Sequence, residues 1–166
     1  RVPHSGETTA RRAGRQRMTI RVFLVDDHEI VRRGLSDLLH LEPDITVVGE
    51  AGTAADARHR LPAAQADVAL LDVRLPDGSG IELCREMPSL APNTRTLMLT
   101  SYADDQALFR SISAGASGYL LKEVHGQELV HAVREVAAGR SLLDPATTQR
   151  VLQRLRGEEV RKRRLT

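Results

Sequence analysis

Apolar runs rich in β-branched residues recur along the chain at Ile20–Val25, Ile45–Val48, Val68–Leu71, Thr96–Leu99 and Gly118–Leu121. Their apolar positions are continuous rather than alternating, the pattern of strands covered on both faces. Helical spacing fills the gaps between them. Ile30, Val31, Leu35, Leu38 and Leu39 fall on one stripe, and Leu83, Cys84, Met87 and Leu90 on another. Leu108 and Ile112 mark a fourth helix, and Leu129, Val130, Val133, Val136 and Ala137 a fifth. The second gap, Thr53–Leu61, is Ala-rich with a weaker stripe. Gly115 and Gly139 stand where C-terminal helix caps belong, and Asp104 where an N-cap belongs. Strand and helix in alternation predict an α/β fold: one doubly wound domain over residues 19–140, with a five-stranded parallel sheet.

The flanks read differently. Residues 1–18 have no apolar period and are expected to be a disordered basic tail, or sequence upstream of a native start at Met18. A transit peptide is the alternative, disfavoured by the short length and missing apolar face. Residues 141–166 are expected to form a linker helix. Asp144-Pro145 is a helix start, Ala146–Arg156 the helix, and Gly157 its end. Its apolar residues Val151, Leu152 and Leu155 make a narrow seam, suited either to a homodimer contact or to packing back on the same domain.

Charge sharpens this division. The formal net charge of +2 conceals basic ends and an acidic middle. The high pI therefore belongs to the flanks and does not mark residues 19–155 as a nucleic-acid binder. Aromatic residues make up only 2%, too few for a base-stacking platform. The single cysteine, Cys84, excludes a disulfide framework and predicts a small buried hydrophobe in a reducing, cytoplasmic setting. No apolar run approaches the ~18 residues of a membrane span.

In doubly wound folds, ligands bind beyond the carboxyl ends of the strands. There this chain places Asp26, Asp27 and His28 after the first strand and Asp72 after the third. Thr100 and Ser101 follow the fourth, and Lys122 the fifth. Converging carboxylates repel unless a cation lies between them, and hard oxygen donors suit Mg²⁺. A phosphoryl group held there would share its charge with Lys122. Only two of the 24 basic residues are lysines, and Lys122 is the one in the domain. Taken singly, each residue has a plainer reading. Asp27 would cap the first helix, Asp72 would serve a turn, Thr100 would be a loop hydroxyl, and Lys122 and His28 would be solvated. The Asp-Asp-His-Glu turn after the first strand is hostile to a pyrophosphate or flavin phosphate. Arg74 stands where an aspartate-nucleophile phosphatase would carry its second acid.

The segments VDDHE, LLDVRLPDGSG, LTSY and GASGYLLK resemble the receiver domain of bacterial two-component response regulators, above all the NarL/FixJ (LuxR-type) subfamily. VFLVDDHEIVRRGL and AAGRSLLD are similar to the dormancy-survival (DevR/DosR) group. The resemblance spans residues 20–143. It implies the flavodoxin-like strand order 2-1-3-4-5 and a phosphoacceptor at Asp72, charged by a sensor histidine kinase. Mg²⁺ would be held by Asp27, Asp72 and the backbone carbonyl of Arg74, with Asp26 acting through water. Thr100 and Tyr119 would form the switch, and the output would be a changed surface around the fourth helix, fifth strand and fifth helix. Glu123 follows the lysine where many receivers have proline, which puts the local loop geometry in question. DNA binding is implied only through a helix-turn-helix domain absent from these residues, and the Arg161–Arg164 run reads as linker. The chain is thus expected to be a transcription-controlling receiver and not an enzyme. A small Mg²⁺-dependent phosphatase using Asp72 and an unphosphorylated interaction module are the alternatives.

Overall fold

The three central strands of the main sheet are buried on both sides, as their continuous apolar sequences require, while the two edge strands are only partly buried. The computed structural model describes residues 19–101, 104–123 and 126–143, together with Gln153. Strands β1 (Ile20–Val25), β2 (Ile45–Ala51), β3 (Val68–Asp72), β4 (Arg95–Thr100) and β5 (Gly118–Leu121) form one parallel sheet. Helices α1 (Glu29–His40), α2 (Ala54–Ala64), α3 (Gly80–Leu90), α4 (Asp105–Ser113) and α5 (Gly126–Ala137) follow the strands in turn. The order across the sheet is β2-β1-β3-β4-β5, the expected one. A two-residue hairpin pairs Arg74–Leu75 with Gly78–Ser79 between β3 and α3. The sixth helix and its residues Val151, Leu152 and Leu155 lie outside the described residues.

Alternation along each strand divides the core in two. Phe23, Val25, Ala69, Leu71 and Met98 face α2, α3 and α4. Val22, Leu24, Val68, Leu70, Leu97 and Leu99 face α1 and α5. Successive strand side chains point to opposite faces, so a run with no polar alternation serves two cores at once. Burying each Val or Leu contributes about 1.5–3 kcal/mol gross, which is why so many are spent on the three central strands. Gly49 lies beneath the Phe23 ring: a Cβ there would sit 2.5 Å from Phe23 Cε2, beside the register shift between Val22 and Phe23.

The helix stripes are only partly as expected. On α1 only Leu39 is fully buried, while Ile30 is 88% exposed and Val31 is exposed too. Val31 borders an open cavity with Leu99, Leu121 and Lys122, so the first turn of α1 is not packed down on the sheet. On α4 the buried residues are Ala107 and Ser111, while Leu108 and Ile112 are half-buried. Ser111 satisfies its hydroxyl by donating to the Ala107 carbonyl at 2.7 Å. Small side chains here let the helix sit close to the sheet. The α5 stripe is buried at Leu129, Val130, Val133 and Val136, as its spacing predicts. Asp104 caps α4 by accepting from Gln106 N, and Gly115 and Gly139 adopt the positive φ values of 95° and 91° that close a helix. Cys84 is buried, as expected of a hydrophobe.

Candidate functional site

The ladder continues past each strand and fixes the residues that follow. Asp26 N donates to Ala51 O at 3.0 Å, Val73 N to Leu99 O at 3.1 Å, and Lys122 N to Thr100 O at 2.7 Å. These bonds hold the ends of β1, β3 and β5 at one rim. Asp26, Asp72 and Thr100 are all buried there, and Asp27 is partly exposed at the mouth. A carboxylate removed from water needs a partner. Lys122 supplies it: its Nζ lies 2.8 Å from Asp72 Oδ2 and 2.8 Å from Asp26 Oδ2. The contact with Asp72 is an aligned hydrogen bond. That with Asp26 is an ion contact, and Asp26 Oδ2 makes no aligned hydrogen bond among the described residues.

Burial pushes the Asp72 carboxyl above its ordinary range; Lys122 opposes that rise, and the Asp26 charge adds to it. Burial alone would lower the Lys122 ammonium, but its bonds to Asp26 and Asp72 outweigh this and hold it above the usual lysine value. The ammonium therefore stays charged, and one lysine serves two carboxylates.

A divalent cation fits the donor set. Asp26, Asp27, His28 and Asp72 each bring a ligand atom within 4.8 Å of the others. Three are hard carboxylates, and one buried oxygen lacks an aligned donor. Two carboxylates share one ammonium, so negative charge remains in excess for a cation.

Thr100 ends β4, and Tyr119 lies on the neighbouring strand, half-buried against the α2–α4 core. Burial pushes the Tyr119 phenol upward, and a hydrogen bond with the Thr100 side chain opposes the shift. The two residues that the resemblance pairs as a switch are thus in contact. Arg74 is exposed, with its amide 3.4 Å from Asp72 Oδ1.

Asp27 does not cap α1: His28 holds the N-cap position, and no side chain there caps the helix. Its carboxylate lies at the mouth of the site instead, 3.1 Å from His28 Nδ1. Three supporting residues were not anticipated. Arg32 Nη1 donates to the Asp26 carbonyl at 2.6 Å, tying α1 to the acidic turn. Asp77 accepts from Ala54 N at 2.7 Å and Ala55 N at 2.9 Å, fixing the loop after Asp72 to the start of α2. Gly80 has no room for a side chain, because a Cβ would lie 1.8 Å from the Asp72 carbonyl oxygen. The Gly-Ser-Gly run after Asp77 was the available sign of such a close approach. Nothing local marks Asp77, because its partners on α2 are distant in sequence, and Arg32, six residues from Asp26, carries no signal that separates it from a solvated arginine.

The family model for the response regulator receiver domain matches residues 22–134. The chain is 58% identical over 138 residues, 83% of its length, to the DNA-binding transcriptional activator DevR/DosR of Mycobacterium tuberculosis. It is 34% identical over 139 residues, 84% of its length, to the response regulator protein VraR of Staphylococcus aureus. It spans 64% and 66% of the lengths of those relatives. The crystal structure of a LuxR-family two-component response regulator from Aurantimonas sp. SI85-9A1 superimposes with a TM-score of 0.73 at 34% identity. That match covers 82% of this chain and 97% of the other.

Proposed function

This chain belongs to the response regulator receiver domain family, and on that premise we propose that Asp72 accepts a phosphoryl group from a sensor histidine kinase. The observation that carries the reading is the Asp26–Lys122–Asp72 arrangement: a buried acceptor carboxylate at a strand end, beside a fixed ammonium. An oxygen of Asp72 attacks phosphorus, the phosphorus–nitrogen bond of the donor phosphohistidine breaks, and the imidazole leaves with the bonding pair. The product is an acyl phosphate. Lys122 offers its charge to the phosphoryl oxygens, at a position already set by β5. Asp27, Asp72 and the Arg74 carbonyl would hold Mg²⁺, with Asp26 acting through water. The cation supplies charge neutralisation as the phosphoryl group approaches two carboxylates.

Thr100 then turns its hydroxyl to the phosphoryl group, and its bond with Tyr119 carries that change to the face formed by α4, β5 and α5. The output is a change in dimerisation and, through a helix-turn-helix domain beyond these residues, in DNA binding and transcription. The likeness to a DNA-binding transcriptional activator supports this.

Intact-mass analysis after treatment with acetyl phosphate and Mg²⁺ tests the proposal. One added phosphoryl group is expected, with none on Asp72→Asn and none in EDTA. Equal labelling of Asp72→Asn would overturn the assignment. Sustained turnover of phosphomonoesters would favour the phosphatase reading, which no observation supports.

A further inference from the structure

Leu75-Pro76-Asp77-Gly78 is a turn sequence, and an exposed aspartate in a turn needs no distant partner. Asp77 nevertheless commits both carboxylate oxygens to backbone amides 23 and 22 residues away. Ala54 N donates to Oδ1 at 2.7 Å, and Ala55 N donates to Oδ2 at 2.9 Å. These two bonds hold the Asp77 carboxyl below the ordinary aspartate range, so it stays charged. Capping the helix does not by itself account for the contact. Thr53 already caps α2, its hydroxyl accepting from Asp56 N at 3.1 Å.

Both ends of the contact lead back to the acidic rim. On one side, α2 follows directly from the end of β2, where Ala51 O accepts from Asp26 N at 3.0 Å. A Cβ at Gly52 would lie 3.3 Å from Arg32 Nη1, the group that donates to the Asp26 carbonyl. On the other side, Asp77 stands at the tip of the hairpin whose base carries Arg74, its amide 3.4 Å from Asp72 Oδ1. The base is fixed by Val73 N donating to Leu99 O and by Gly80 N donating to Val73 O. Asp77 fixes the tip. The acceptor hairpin is thereby referenced to the loop that borders Asp26, across the mouth of the site.

We propose that Asp77 is a positioning residue for phosphoryl acceptance: by clasping the start of α2, it holds the backbone of residues 74–76 in place beside the Asp72 carboxylate. This rests on reading Asp72 as the phosphoacceptor. With the clasp gone, the hairpin is restrained at its base alone. A displacement of about 1 Å is enough to slow a reaction that depends on position by about 100-fold.

The test compares the full-length parent chain with Asp77→Ala, Asp77→Asn and Thr53→Ala, at a temperature where urea melts show every variant folded. Acetyl phosphate labelling at saturating Mg²⁺ is read by intact mass, and Mg²⁺ affinity of the unlabelled protein by calorimetry. Asp77→Ala should label at least about tenfold more slowly and bind Mg²⁺ about tenfold more weakly. Thr53→Ala loses a cap at the same helix end, yet it should stay within about twofold of the parent in both readouts. Asp77→Asn keeps one acceptor oxygen and should recover to within about threefold of the parent rate. Parent-like labelling by Asp77→Ala, an equal slowing in Thr53→Ala, or no recovery in Asp77→Asn overturns the positioning role. If the parent labels at Asp72 in any of these cases, the failure belongs to Asp77 alone. If the parent takes up no phosphoryl group, the receiver reading fails with it.

Discussion

Lys122→Met removes the ammonium while keeping most of the apolar stem. Two contacts of 2.8 Å disappear, to Asp26 and to Asp72. At an effective dielectric constant near 20, each contact corresponds to about 6 kcal/mol of Coulomb attraction. Against this stands a desolvation cost of several kcal/mol for each buried ion, so the intact cluster is worth little net. Removing one partner is different, because it leaves the carboxylates desolvated, unpaired and mutually repelling. Breaking such a cluster costs about 3–5 kcal/mol, and a comparable deficit is expected at pH 8.

The deficit should depend on pH with a definite sign. Burial already raises the native Asp72 carboxyl above 3.8, and Lys122 opposes the rise. Without the lysine the native value climbs further, while the unfolded value does not. As pH falls toward that raised value, the native state takes up a proton before the unfolded state does. The deficit should therefore shrink, by up to about 1.4 kcal/mol for each unit of pH within the window. Urea denaturation of parent, Lys122→Met and the double variant Asp26→Asn/Lys122→Met at pH 8 and pH 5.5 measures this. The double variant, with one charge removed, should recover at least half of the loss at pH 8. A loss below about 0.5 kcal/mol at both pH values, or one that grows on acidification, would refute the reasoning.

Other expectations follow from the same geometry. Acetyl phosphate labelling of the parent should decline as pH falls through a value above 3.8, because the attacking group is the carboxylate that burial keeps protonated longest; a rate unchanged until the ordinary aspartate range would contradict it. Below the unfolded value both states are protonated, and between the two values the Asp72 contribution to stability decreases as pH rises. Gly80→Ala forces a Cβ toward the Asp72 carbonyl, so labelling should slow on the order of 100-fold and stability should fall by about 1–3 kcal/mol, read by stopped mass analysis and urea melts. Arg74→Ala should change the half-life of the acyl phosphate if the side chain shields the site, and an identical decay would place it in solvent alone. Leu152→Asp should weaken phosphoryl-dependent self-association in sedimentation equilibrium if the linker seam joins two copies; equal association of both proteins would move the dimer face elsewhere.

Much of this architecture was legible before any coordinate. Five short apolar runs alternating with helical stripes pointed to a parallel sheet, and Val68–Leu71 is buried throughout as such a run predicts. Parallel strands all end at one rim, and residues as distant as Asp26, Asp72 and Lys122 could be assigned to one site from their positions after the runs. Local chemistry also fixed the ends of helices at Asp104, Gly115 and Gly139, where neighbouring backbone groups are the partners. The tertiary structure decided what depends on distant partners. It exposed Ile30 and Val31, because the start of α1 stands off the sheet across an open cavity bordered by Leu99 and Leu121. It turned small Ala107 and Ser111 inward on α4 in place of Leu108 and Ile112. It divided one ammonium between Asp26 and Asp72, tied Asp77 to the start of α2, and pressed Gly80 against the acceptor's own carbonyl. Periodicity records which face of an element avoids water, whereas these contacts depend on how closely two separately formed elements approach, and only packing in three dimensions sets that distance.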